Sequence, residues 1–305
     1  MKVVIWCLLL LTYISGCRTH QVEITKIPDV QGHRGCRGLM PENTIPAFIE
    51  AVKLGVTTLE LDVVMNKFGD VIISHEPYYN SYFSTDPLGH PIKKSDEKKH
   101  NLYQMTFDEI ASYDVGMRTN PKYPLQSKIA CYKPKLDDVV DTVRKYCMAQ
   151  KLPLVMFNIE LKYDRNEIGT FFPKDSILID SVFSILKNQN LLDNAIIQSF
   201  DTEILNICYY KEPNLSYALL IDNSEDLQKN LSLLHFKPSV YSPRYTKVNK
   251  KLVTECRVLD LKIIPWTVND EDDIVEMLGF GVDGIISDYP DKVIEIAEGL
   301  LQSVQ

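Results

Sequence analysis

The chain has 305 residues, enough for one large α/β barrel or two smaller domains. Apolar residues make up 45% and charged residues 24%, the balance of a globular protein rather than a disordered or fibrous one. A net charge of −8, with no cluster of Lys or Arg, argues against nucleic acid as a partner.

Residues 1–17 read as a targeting segment. Lys2 supplies a minimal basic start, and the apolar run 3–11 is too short to span a membrane. Ile14, Ser15, Gly16 and Cys17 resemble a bacterial lipobox, in which cleavage before the Cys exposes it for lipidation. The expectation is an exported protein, anchored through Cys17 to the periplasmic or extracellular face of a bacterial membrane. Residues 18–28 form a short polar tether, and the folded unit is expected over 29–301. Beyond Cys7 and Cys17, the five remaining Cys are widely spaced with no C-x-x-C, so they read as free thiols. Cys147, Cys208 and Cys256 fall in expected helices, as small core residues.

The stretch 31–77 is organised as strand, Gly-rich loop, helix (45–54), strand (58–63), tight turn (67–70) and strand (71–75). The first strand ends in His33 and Arg34, and the last in His75. Glu60 and Asp62 are two apart on the second strand and so share a face. Leu59, Leu61, Val63 and Val64 surround them, so a buried strand carries these charges inward, where they need partners or a metal. Residues 78–133 are rich in Tyr, Lys, Asn, Ser and Pro and read as an insertion, with one short helix at 106–111 opened by a Thr106–Glu109 capping box.

From 135 onward strands and helices alternate. Helices are expected at 136–148, 175–188, 201–210, 224–234, 249–259, 271–280 and 291–301. The strands between them lie at 154–161, 195–199, 215–221, 239–242, 262–268 and 284–287. Counted from His33, there are eight strand-then-helix units, with 71–75 left over as a hairpin partner. That pattern predicts a (β/α)8 TIM barrel with a small insertion after the second strand and its hairpin. No G-x-G-x-x-G loop supports the alternative, an open doubly wound sheet. In a barrel, His33, Arg34, Glu60, Asp62, Glu160, Lys162, Gln198, Trp266 and Asp288 all fall at C-terminal strand ends, with His75 brought to the same mouth by the hairpin.

The order H-R-G (33–35), P-E-N-T (41–44), E-x-D-V (60–63), K-x-G (67–69) and His75 followed by an acid resembles the glycerophosphodiester phosphodiesterases. The resemblance continues in N-I-E-L-K (158–162), Q-S-F (198–200), W-T-V-N (266–269) and S-D-Y-P (287–290). Cys36, Phe68 and Glu76 stand where that family more often has Ala, Asp and Asp. The resemblance implies metal-dependent hydrolysis of glycerophosphodiesters to sn-glycerol 3-phosphate and an alcohol, with Glu60, Asp62 and Glu160 as ligands. An all-oxygen set points to Mg²⁺ or Ca²⁺ over Zn²⁺. Arg34 and Lys162 are expected to neutralise the phosphoryl oxygens, and His33 and His75 to carry protons, their order open. Trp266 is expected beside the substrate or in plain barrel packing, Gln198 to hydrogen-bond the substrate or a site residue, and Asp288 reads as a hydrogen-bond partner or a helix cap. The alternatives are a phospholipase C- or D-like enzyme on intact lipid or lysolipid, a glycosidase using Glu60 and Glu160, and a non-catalytic binding lipoprotein. The glycosidase leaves both His, Arg34 and Lys162 without a role.

Overall fold

The computed structural model describes residues 24–302. The targeting segment, Cys17 and the first part of the tether lie outside the described residues. The strands are β1 (Asp29–Gly32), β2 (Thr58–Met65), β3 (Val71–Ile73), β4 (Met156–Leu161), β5 (Ala195–Ser199), β6 (Ser216–Ile221), β7 (Val240–Pro243), β8 (Lys262–Ile263) and β9 (Gly284–Ser287). The α-helices are α1 (Ile45–Leu54), α2 (Phe107–Ala111), α3 (Leu136–Gln150), α4 (Asp175–Asn188), α5 (Thr202–Lys211), α6 (Leu227–Leu231), α7 (Lys250–Val258), α8 (Glu271–Phe280) and α9 (Pro290–Gln302).

Eight strands pair in parallel in the order β8-β7-β6-β5-β4-β2-β1-β9, and β3 runs antiparallel beside β2. Three hydrogen bonds close the ring between its ends: Asp283 N to Ile263 O (2.9 Å), Ile286 N to Pro265 O (3.0 Å) and Val268 N to Ile286 O (3.0 Å). The result is a nearly closed (β/α)8 barrel. Strands buried on both faces, such as the uniformly buried β2, sit between the barrel interior and the helices. Ile196, Ala218, Val240, Ile264 and Ile286 form an apolar cluster of their own on alternate positions of neighbouring strands. The insertion has a separate core in which Tyr79, Ile110, Phe171 and Phe172 pack on Val64 and Ile72.

Several expected boundaries move: the hairpin strand expected to end in His75 stops at Ile73, so His75 stands in the turn after it, and three further shifts bear on the barrel. The first strand ends at Gly32, leaving His33 and Arg34 beyond the ladder in a tight turn. Arg34 (φ 51°) and Gly35 (φ 89°) take left-handed conformations there, and a Cβ on Gly32 would lie 2.0 Å from Gly35 O. The helix expected at 224–234 is only α6, because Asp226 caps it late by accepting from Lys229 N (2.8 Å), and residues past Leu231 continue as turns. The strand expected at 262–268 is regular only as β8, since Pro265 brings no N–H to a ladder. The chain nevertheless follows the barrel wall, with Trp266 N donating to Pro243 O (3.1 Å).

Local chemistry explains the best-matched element. Thr44 caps α1 by accepting from Ala47 N, a Pro lies in the first turn, and Gly55 (φ 95°) closes it. That helix sets the P-E-N-T loop against the end of β2, where Asn43 Nδ2 reaches Asp62 Oδ2 (2.8 Å).

Candidate active site

Strand register builds the acidic centre. Asp62 pairs with Glu160 across β2 and β4, and Glu160 with Gln198 across β4 and β5. Period-two alternation places Glu60 on the same face of β2 as Asp62. One ligand oxygen from each of Glu60, Asp62 and Glu160 lies within 4.8 Å of the others, and all three residues are buried. Glu60 Oε2 accepts from the backbone N–H of Arg34 (2.9 Å), and its Oε1 from Gln198 Nε2 (2.8 Å). Lys162 Nζ stands 2.6 Å from Glu160 Oε1 and 3.2 Å from Asp62 Oδ1. Arg34 Nε lies 3.1 Å from Asp62 Oδ2, while its Nη1 donates to Glu42 Oε1 (2.7 Å).

These carboxylates do not share one electrostatic fate. Burial, with the charges of Asp62 and Glu160, pushes Glu60 well above the usual carboxylate range, and burial raises Glu160 too. Burial opposes ionisation of Asp62 as well, but Lys162 and Arg34 hold it well below that range. Asp62 Oδ1 is buried without a hydrogen bond. Three converging carboxylates, one with an oxygen that accepts no hydrogen bond and faces only the Lys162 ammonium, fit a hard divalent cation, which would relieve their repulsion.

The two His are supported differently. His33 Nδ1 lies 2.6 Å from Asp288 Oδ1, so that nitrogen donates and Nε2, 3.9 Å from Glu60 Oε2, is left to the cavity. Burial, reinforced by the charge of Arg37, lowers His33 to about 4, so the ring is neutral at neutral pH. Asp288 also accepts from Arg37, from Tyr123 (3.0 Å) and from Asn269 (2.9 Å). Burial works against its ionisation, yet His33 and Arg37 keep it well below the usual range. His75 is half-buried, with Nδ1 3.1 Å from Glu76 Oε1. The Glu that replaces the more common Asp at 76 therefore does support the ring. Against its burial, the hydrogen bond and charge of His75 lower Glu76 to about 2. Lys133, buried and lowered by that burial, donates to Ser74 Oγ (2.7 Å), whose hydroxyl donates to Glu76 O (2.5 Å). This chain of bonds fastens the turn that carries His75.

A cavity of about 300 Å³ opens above the carboxylates, and both His, Arg34, Glu60, Glu160 and Lys162 line it. Gln198 lines it too, but its amide is committed to Glu60 Oε1 and its carbonyl to Asn158 (3.1 Å), so it orients a carboxylate. Trp266 lines the cavity edge-on to Phe200 (5.5 Å between ring centres), its indole N–H donating to Ser242 O (2.9 Å). Every expected site residue among the described ones is thus brought to one mouth. Sequence reading missed Arg37, Asn43 as a partner of Asp62, Tyr123 and Lys133. All four lie in loops without periodicity, and only the proximity of Arg37 to H-R-G was a signal. Cys36 is buried, burial pushes its thiol up to about 12, and it is no nucleophile.

Residues 33–292 match the model of the glycerophosphoryl diester phosphodiesterase family. A glycerophosphodiester phosphodiesterase of Bacillus subtilis is 28% identical over 276 residues, covering 88% of this chain and 85% of that protein. A solved structure from Silicibacter pomeroyi, assigned as a glycerophosphoryl diester phosphodiesterase, is 27% identical with a TM-score of 0.81, covering 92% of this chain and 96% of that one. An Oleispira antarctica phosphodiesterase, solved in complex with the product sn-glycerol-3-phosphate, shares the fold at 20% identity and TM-score 0.70, covering 89% of this chain and 97% of that one.

Proposed function

We propose, since the chain belongs to the glycerophosphoryl diester phosphodiesterase family, that it hydrolyses glycerophosphodiesters to sn-glycerol 3-phosphate and an alcohol with a divalent cation and two His. The observation that carries this reading is the convergence of three buried carboxylates, two cations and two carboxylate-supported His on one cavity. A Mg²⁺ or Ca²⁺ ion held by Glu60, Asp62 and Glu160 would supply charge to neutralise the phosphoryl oxygens. Arg34 and Lys162 flank the same place and would orient the phosphate. His33, neutral and fixed through Nδ1, is suited to accept a proton at Nε2; His75, nearer solvent, is suited to give one to the departing alcohol. The test is release of glycerol 3-phosphate from deacylated phospholipids with and without chelator. The expected result is release that stops with chelation and returns with Mg²⁺ or Ca²⁺. Release of the free alcohol from lysolipids alone would instead place the enzyme among lysolipid phosphodiesterases.

We further infer, from residues 1–17, that the protein is exported and held to the outer side of a membrane through a lipid on Cys17. Cys17→Ser is expected to move it from the membrane to the soluble fraction or to block its processing. Unchanged membrane fractionation, with no lipid mass on the wild-type N-terminus, would exclude the anchor.

A further inference from the structure

Beyond His75 the barrel mouth opens into a second cavity, of about 250 Å³, walled largely by the insertion. Arg34, Arg37 and His75 line both this cavity and the one above the carboxylates, so the two meet at a cationic rim. The inference rests on the phosphodiesterase reading above. A diester carries two arms on one phosphate, and a phosphate at this junction sends one arm into each cavity. We propose that the insertion cavity is the leaving-alcohol subsite and selects an oxygen-rich alcohol, a polyol or its phosphate, against a quaternary ammonium alcohol.

Its carboxylates are largely engaged by the protein, with one exception: Glu76 Oε2 is buried without a hydrogen bond, and a polyol hydroxyl, unlike a trimethylammonium, can donate to it. Glu42 takes Arg34 Nη1 at 2.7 Å. Glu97 takes Lys94 Nζ (2.6 Å) and the backbone N–H of Ser81 (2.7 Å). Glu76 Oε1 faces His75 and accepts from Asn80 Nδ2 (3.3 Å). The other groups left for a ligand are an amide N–H, hydroxyls and an ammonium. Asn120 is 3% exposed, and its Oδ1 accepts from Lys122 N (3.1 Å). Among the described residues, Asn120 Nδ2 and the hydroxyls of Tyr78 and Tyr82 make no hydrogen bond, and Lys122 Nζ has no ion-pair partner. A ligand offering hydroxyl or phosphate oxygens satisfies these groups; a trimethylammonium satisfies none. The Tyr82 ring, which would otherwise attract such a cation, already has Lys122 Nζ at 5.4 Å and Lys94 Nζ at 5.8 Å from its centroid. Either ammonium repels a second cation placed there.

The experiment compares kcat/KM for glycerol 3-phosphate release from glycerophosphoglycerol, from the same diester phosphorylated on its leaving glycerol, and from glycerophosphocholine. The wild type is expected to favour both oxygen-rich substrates over the choline diester by about tenfold or more. Asn120→Leu should lower the glycerophosphoglycerol value about tenfold and leave the choline value in place. Lys122→Glu, on an exposed side chain, should selectively penalise the phosphorylated substrate and raise the choline value, with an unchanged melting temperature. Equal or better turnover of the choline diester by the wild type, or ratios that neither substitution moves, would overturn the subsite. Absence of glycerol 3-phosphate from every diester at saturating Mg²⁺ or Ca²⁺ would overturn the parent reading, and the subsite with it.

Discussion

Glu160→Gln is expected to lower kcat/KM by about 10³-fold, a loss of about 4 kcal/mol from the transition state. Calorimetric binding of Mg²⁺ or Ca²⁺ should weaken in parallel, so that higher metal concentration restores part of the rate. Glu160 is the cleanest of the three carboxylates to test. Among the described residues, Lys162 is the only hydrogen-bond or ion-pair partner of its side chain, and a Gln carbonyl oxygen still accepts from that ammonium. Glu60→Gln is less clean, because both Glu60 oxygens accept from N–H donors and an amide nitrogen would face one of them. Asp62→Asn is less clean again, since Arg34, Lys162 and Asn43 all converge on it. Unaltered metal binding by Glu160→Gln, with activity lost, would make Glu160 a partner of Lys162 and not a ligand. Full wild-type activity after exhaustive chelation would remove the cation from the reaction altogether.

Much of this site was legible because its chemistry interrupts local patterns. Glu60 and Asp62 break an apolar strand, and alternation alone sets them on one face. Helices α1 and α8 end where Gly55 and Gly281 predict. What periodicity does not carry is the pairing between distant strands. The alignment of Asp62 with Glu160 and Gln198 depends on sheet order, which the resemblance implied and the register shows. Asp288 read as a hydrogen-bond partner or a helix cap, and its partner proves to be His33, 255 residues away. Nothing near Asp288 in sequence announces that bond. Lys133 reads as one more Lys of a polar insertion, and only its burial reveals that it braces the His75 turn. Gln198 ends a strand at the mouth and was expected to hydrogen-bond either a site residue or the substrate. Its neighbours, Glu60 and Asn158, select the first of these, a choice that no local pattern encodes.

A substrate whose glycerol lacks the hydroxyl beside the phosphate ester is expected to bind nearly as well as its parent and to turn over about 10³-fold or more slowly. Among the described residues the cavity holds no Ser, Cys or Thr paired with a His as an activated nucleophile would be. The neighbouring hydroxyl of glycerol is already attached to the reacting phosphate, and intramolecular attack carries a large proximity advantage. In that route His33 Nε2 removes the hydroxyl proton as its oxygen bonds to phosphorus. The bond to the alcohol breaks, and His75 supplies the proton that the alcohol oxygen takes. Water then opens the cyclic phosphate: His75 accepts a proton from the water and His33 returns one to the glycerol oxygen, leaving both rings as they began. The assignment follows from support and access. Asp288 fixes His33 deep in the wall, whereas His75 lines both cavities and so reaches the leaving arm. His33→Asn and His75→Asn should each cost about 10²–10⁴ in kcat. Only His75→Asn should be partly rescued by a substrate with an activated leaving group such as nitrophenol, which departs without a proton. Asp288→Asn should cost a comparable factor to His33→Asn, because its amide would present a donor to Nδ1 and favour the wrong tautomer. Undiminished turnover of the deoxy substrate would leave water as the attacking group, and rescue of His33→Asn instead of His75→Asn by the activated substrate would exchange the two roles.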